Sequence, residues 1–270
     1  MDTSTVPERL GENAQAQPAR LRILCKAAAA AVVTGLAILP PVLLRIVTLG
    51  ADKPAARLGA RCCHTWGKAL CAIFGIEVTL VGKRPRGSFL VASNHVSYMD
   101  ILVLASLYPS AFVAKLEIGA WPVFGWIARS AGTLFVDRKR PRDVVRAGRE
   151  MRSHLEAGIP LTMFPEGGSS SGETVQPFLP SLLEPAADAG VPCYAASVTY
   201  ETTTPDPPSR VVSWRGHEPF GRKIAGILRQ RKILATVTIA EEPVISRDRK
   251  ELAQKLWDRV HASYRPMRRE

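Results

Sequence analysis

Past residue 75 the chain alternates short apolar runs, rich in β-branched and aromatic residues, with stretches of helical character, and this alternation constrains the fold more than any other feature. Strands are expected at 77–81, 89–93, 111–114, 132–136, 161–164, 193–199, 211–214 and 234–239, with helices following Ser97, Trp121, Arg142, Pro177, Phe220 and Arg247. Such a pattern predicts an α/β fold, a mostly parallel or mixed sheet covered by helices. The segment 202–208 holds three threonines and three prolines and reads as an exposed excursion. In the last helix Leu252, Leu256 and Val260 recur at i+4, a stripe facing the core. At 270 residues there is room for one large domain and a short appendage.

Three of the apolar runs end in polar or glycine-rich turns. The first leads into His95-Val96-Ser97-Tyr98-Met99-Asp100, the second ends at Asp137-Arg138, and the third runs Phe164-Pro165-Glu166-Gly167-Gly168 into Ser169. Ligands of open α/β sheets bind at the carboxyl ends of strands. An imidazole paired with a carboxylate is the chemistry that removes a proton from an alcohol near neutral pH. Five residues on a regular helix turn through roughly 500°, which leaves the two side chains roughly 140° apart. They meet only if the chain leaves the strand at Asn94, turns through His95 and begins its helix near Ser97. The same residues also read as a capping box, with Ser97 as the cap and Asp100 at the third helical position.

Taken together and in this order, these stretches resemble the glycerolipid acyltransferase family, whose best known members are the bacterial 1-acyl-sn-glycerol-3-phosphate acyltransferases. Asn94-His95 with Asp100 is similar to the family's first motif, 132–138 to its second, 164–167 to its third and 191–198 to its fourth. Lys115 closes the Phe112-Val113-Ala114-Lys115 run, where members commonly carry an Ala-Lys pair. The resemblance covers 76–244. It implies that His95 is the general base and Asp100 its orienting partner. Asn94, Lys115, Arg138, Glu166, Gly167, Gly168 and Ser169 are then implied on the substrate side, with backbone amides around Gly167 as oxyanion donors. Many members follow the third motif with Thr-Arg; here Gly168-Ser169 stands in its place, and the Ser169–Gly172 run is closer to the branch that includes lyso-ornithine lipid acyltransferases. The implied reaction moves a fatty acyl group from acyl-CoA or acyl carrier protein to a lysolipid hydroxyl. Its first acceptor is 1-acyl-sn-glycerol-3-phosphate, giving phosphatidate, with lyso-ornithine lipid as the alternative. A non-catalytic lipid-binding membrane protein is a third reading. A serine hydrolase is disfavoured by the absence of a Gly-x-Ser-x-Gly elbow.

The excess of 36 Lys and Arg over 24 Asp and Glu suits an anionic nucleic acid or an anionic lipid surface, and the lack of an RNA- or DNA-binding signature disfavours the former. Residues 27–44 carry no charge and are bracketed by Lys26 and Arg45, close to the lower limit of about 17 residues for a spanning helix. Pro40-Pro41 is expected to break the run into two short helices. Over 58–74 a further helix is expected to lie in the membrane interface, with Leu58, Cys62, Trp66, Leu70 and Ile73 on its apolar face and Arg57, Arg61 and Lys68 among headgroups. Arg20, Arg22 and Lys26 oppose export of the amino terminus. With cytosolic donors this favours a membrane-associated hairpin dipping into one leaflet of the cytoplasmic or inner membrane, the catalytic domain facing the cytoplasm, over a true span or a cleaved signal peptide. The expected division is a disordered tail over 1–21, a membrane-associated helical segment over 22–75 and an acyltransferase domain over 76–270. Five cysteines, two adjacent, match no disulfide framework and agree with a reducing compartment. Neither a metal site nor a cofactor is expected.

Overall fold

The computed structural model describes residues 6–48, 52–137, 140–214 and 219–267, with side chains described from residue 20 onward except at 52, 141 and 220. In chain order its elements are α1 (Val6–Val47), α2 (Asp52–Phe74), β1 (Ile76–Val81), β2 (Leu90–Ser93), α3 (Met99–Leu107) and β3 (Ala111–Lys115). Then come α4 (Leu116–Gly119), α5 (Phe124–Ser130), β4 (Leu134–Val136), α6 (Pro141–Glu156), β5 (Leu161–Met163) and α7 (Pro180–Ala189). The chain closes with β6 (Cys193–Thr202), α8 (Pro208–Val211), α9 (Phe220–Arg229), β7 (Ile233–Ile239) and α10 (Arg249–Ser263).

Among the described residues the strands form one mixed sheet in the order β1-β7-β6-β2-β5-β3-β4. The strands from β6 to β4 run parallel, while β7 pairs antiparallel with β6 and carries β1 parallel to itself. Strand β2 lies between β5 and β6, with Leu90 opposite both Leu161 and Cys193. All four of its residues are buried, as expected of a strand covered on both faces. Leu90 and Ala92 face a core with Met151, Leu183 and Leu256 from α6, α7 and α10. Val91 faces the opposite core, with Leu70, Val103 and Ile227 from α2, α3 and α9. The carboxyl ends of β2, β5 and β3 therefore share one edge of the sheet.

Most expected elements are present, and four differences have local causes. The strand expected at 211–214 is instead the end of α8 and a turn. Pro208 opens α8 with its φ preset, and the Val212 N–H donates to the Pro208 carbonyl at 2.8 Å. Helix α1 begins at Val6, inside the tail expected over 1–21, where Glu, Arg, Leu, Ala and Gln are all good helix formers. It also runs through Pro40-Pro41 without a break. Ile38 and Pro41 are buried on its inner side, where α1 packs on α2, so tertiary contact holds the helix where the prolines remove donors. Lys26 adds a tie, donating to the carbonyls of Phe74 at 3.1 Å and Gln230 at 3.0 Å.

The fourth difference is in α2. Leu58, Cys62, Trp66 and Ile73 are half-buried and Leu70 is buried within the protein, so much of this face packs inside the fold, against α1 and α3. Ala56, Gly59, Ala60, Cys63 and Gly67 make a small-residue stripe that brings α2 close to its neighbours. A Cβ on Gly67 would stand 2.8 Å from the Leu102 carbonyl oxygen and 2.9 Å from the Ala105 methyl. Trp66 Nε1 in turn donates to Thr34 Oγ1 of α1 at 2.9 Å. The outward apolar surface belongs to α1. Its Arg20–Val47 stretch is long and apolar enough to cross a membrane, and only 11% of its most apolar part is buried, unlike the mostly buried core helix of a soluble protein.

Candidate active site

The site grows from the way β2 ends. Asn94 is buried and continues the strand: its Nδ2 donates to the Val198 carbonyl at 3.0 Å, and its Oδ1 accepts the Val198 N–H at 2.7 Å. The amide thus mimics a ladder residue against β6. Placed on the substrate side by the sequence, Asn94 instead holds the strand end in register. The chain then turns, and α3 begins at Met99.

This turn brings residues 95 and 100 together. The His95 Nδ1 lies 2.7 Å from Asp100 Oδ2, the same oxygen that accepts the N–H groups of Val96 at 2.7 Å and Ser97 at 2.9 Å. Ser97 Oγ accepts the Met99 N–H at 3.3 Å. The capping geometry and the histidine pairing are therefore one arrangement: the carboxylate that caps the turn also orients the ring. On its other side Asp100 Oδ1 accepts the hydroxyl of Tyr200 at 2.7 Å. Asp100 is fully buried, and four donors converge on it, which suits an acceptor-only carboxylate. Nδ1 of His95 then carries the proton, and the Nε2 lone pair is left for a substrate. The His95 side chain is 16% exposed, enough to be reached from outside. Its ring stacks on Phe164, with centroids 4.0 Å apart and planes 14° from parallel.

The third motif packs against this histidine through its backbone. Glu166 Oε1 accepts the His95 N–H at 2.7 Å, and Oε2 accepts the Gln176 N–H at 3.2 Å. Both oxygens are committed, so Glu166 ties the 164–176 loop to the base. Burial pushes its carboxyl up to about 8, opposed by these two N–H bonds and reinforced by the Asp100 charge. The Ser170 N–H donates to the His95 carbonyl at 2.8 Å, and Ser169 Oγ donates to the Trp214 carbonyl at 2.7 Å. Ser169 thereby serves the scaffold.

Gly167 also departs from expectation. Its N–H closes a turn onto the Phe164 carbonyl at 3.0 Å, with φ of 75°, and so is not aimed at an oxyanion. Gly168, the next residue, is exposed and open: a Cβ there would meet only Lys115 Nζ, at 4.0 Å. The Lys115 ammonium, expected on the substrate side, thus lies near the open face of Gly168. Arg138 lies outside the described residues. Among the described residues no cluster of three or more His, Cys, Asp or Glu could hold a metal ion.

Tyr200, Tyr98 and Trp214 are additions that sequence reasoning missed. Tyr200 lies in the apolar run of β6 and carries no local signal; the β2–β6 register alone delivers it to a carboxylate 100 positions away. Tyr98 packs edge-on against Trp214, with centroids 5.1 Å apart, and the Trp214 N–H donates to the Val96 carbonyl at 2.8 Å.

An imidazole held by a buried carboxylate at the carboxyl edge of such a sheet is the arrangement expected of an enzyme that acts on a hydroxyl. Residues 75–199 match the family model described as Acyltransferase, and the chain belongs to this family. It is 34% identical over 247 residues to the lyso-ornithine lipid O-acyltransferase of Pseudomonas aeruginosa, covering 90% of this chain and 93% of that one. Similarity to the 1-acyl-sn-glycerol-3-phosphate acyltransferase of Neisseria gonorrhoeae is 39% identity over 137 residues, covering 50% of this chain and 54% of that one. The fold matches the crystal structure of the 1-acyl-sn-glycerophosphate (LPA) acyltransferase PlsC from Thermotoga maritima, with TM-score 0.65 and 20% identity, covering 91% of this chain and 96% of that one.

Proposed function

We propose that this O-acyltransferase moves a fatty acyl group from a thioester donor, acyl-CoA or acyl carrier protein, to the free hydroxyl of a lyso-ornithine lipid. The observation that carries the catalytic part is the 2.7 Å contact between His95 Nδ1 and Asp100 Oδ2, with the opposite edge of the ring accessible. His95 Nε2 takes the hydroxyl proton as the acceptor oxygen attacks the thioester carbonyl. The oxyanion that forms faces Gly168 and Lys115, and donors at such a place are typically worth about 3 kcal/mol. Collapse breaks the C–S bond, and the imidazolium returns its proton to the leaving thiolate. Asp100 holds the tautomer and offsets the imidazolium charge.

Two observations support the lyso-ornithine acceptor: the full-length likeness to a protein of that name, and Gly168-Ser169 where an arginine would grip a phosphate. Lysophosphatidate is the second reading, favoured by the Lys115 ammonium beside Gly168 and by the likeness to the Neisseria protein. The outward stripe of α1 supports attachment to the cytoplasmic face of a membrane, with residues 22–75 as the attaching segment and 76–270 as the catalytic domain. The deciding experiment incubates purified protein with both lysolipids and both donors and reads products by mass spectrometry. His95→Ala should lose a factor of about 10² to 10⁴ in rate while still binding vesicles. Undiminished transfer by this variant would remove His95 from the base role.

A further inference from the structure

We propose that the loop between α4 and α5 together with the first turn of α5, residues 120–126, is a second lipid-contacting element that dips into the headgroup boundary beside α1 and borders the path from the bilayer to His95. The path rests on the acyl-transfer reading; the lipid contact itself does not.

The loop presents Trp121, Val123, Phe124 and Trp126 to the exterior, with Val123 at 66% and Trp126 at 55% exposure. Its backbone is strained in order to do so. Val123 has φ 64° and ψ −57°, and the Phe124 N–H donates to the Pro122 carbonyl at 2.7 Å, a γ-turn of the rare positive-φ kind. Among the described residues Val123 is the only non-glycine with positive φ, a conformation most costly for a β-branched side chain. Strain of this sort persists where the surroundings over-determine it, and it concentrates at functional segments. Here the surroundings are firm. The Gly125 and Ile127 N–H groups donate to the Trp121 and Val123 carbonyls at 2.9 Å, and Arg129 Nη1 donates to the Gly119 carbonyl at 2.6 Å. Four large apolar side chains are thus held outward on a rigid turn.

Two observations select lipid as the occupant. First, the segment leads directly into a helix, α5, that packs beside α1, the element with the long outward apolar surface. Ile127, Ser130 and Ala131 from α5 and the residue after it share a small gap with Thr34, Ala37 and Ile38 of α1, whose far side exposes Val32, Leu36, Leu39, Leu43 and Ile46. Second, paired tryptophans at the edge of an apolar stripe, on a chain of net charge +12, fit the wet, anionic boundary of a bilayer, where amphipathic rings concentrate. The loop also reaches the site. Trp121 packs near Phe124 with centroids 6.4 Å apart and near Tyr98 at 6.5 Å, and Tyr98 lies inside the catalytic hexapeptide.

The test uses the full chain and vesicles of phosphatidylethanolamine and phosphatidylglycerol carrying brominated acyl chains. Tryptophan fluorescence should be quenched, and Trp126→Phe should remove a shallow-depth component of that quenching. Val123→Asp places a charge at the tip while suiting the positive φ, which aspartate tolerates better than valine, so it should fold. With a vesicle-borne lysolipid this variant should be at least tenfold slower, yet within twofold of the parent on a six-carbon monomeric lysolipid. Quenching unchanged by Trp126→Phe overturns the lipid contact, as does a soluble dimer that Val123→Asp dissociates. Equal loss on both substrates overturns the path. If the parent transfers no acyl group at all, the quenching arm still decides the contact.

Discussion

Asp100 holds three backbone or side-chain N–H groups on one oxygen and a single hydroxyl on the other, so the two oxygens depend on different parts of the molecule. Replacing Tyr200 by Phe leaves Oδ1 buried without a partner, which should cost about 1 to 3 kcal/mol of stability and loosen the orientation of His95. Chemical denaturation and kcat/KM measured together check this; an unchanged rate would make Tyr200 purely structural. Glu166 gives a pH-dependent expectation. Its pKa is raised in the folded protein to about 8, above the unfolded value, so the native state binds the proton more tightly. The resulting stabilisation is complete below about pH 4.3 and is lost as pH rises through about 8. In detergent, the denaturation midpoint should therefore carry a falling component over that window which Glu166→Gln lacks; identical slopes would refute it. At this scale the sequence exposed His95, Asp100 and Glu166 through their clustering at strand ends. It did not expose Tyr200, because one tyrosine in an apolar strand looks like any core residue.

Helix α2 is the element on which the layering turns. Its small-residue stripe seats it against α3, and its larger apolar residues receive α1. Gly67→Ala would push a methyl into the Leu102 carbonyl and the Ala105 methyl, an overpacking expected to cost about 1 to 3 kcal/mol. A lowered thermal midpoint is the measure, and no change would mean that α3 yields freely. Periodicity correctly gave a helix at this place but assigned its apolar face to lipid. An amphipathic pattern states that a face must be covered without saying by what, and α1 supplies the cover. The Pro40-Pro41 break failed for a related reason: a proline inside a helix costs about 3 kcal/mol, and the burial of Ile38 and Pro41 against the neighbouring helices offsets it.

For the whole molecule, the excess of cations and the outward surface of α1 together predict association with anionic vesicles that weakens as salt rises and persists in part at high salt through apolar contact. Vesicle sedimentation across ionic strength measures this; binding indifferent to both lipid charge and salt would leave the net charge without a role. The sequence by itself determined the α/β class, the strand ends that carry chemistry and the imidazole–carboxylate pair, since these rest on composition and spacing within a few residues. Only the tertiary structure decided which surfaces stay exposed and which distant groups meet. The Glu166 bond to the His95 backbone, the Tyr200 bond to Asp100 and the hold of Asn94 on Val198 span between 71 and 104 positions. Contacts of that reach are set by strand order and register, which no local pattern encodes.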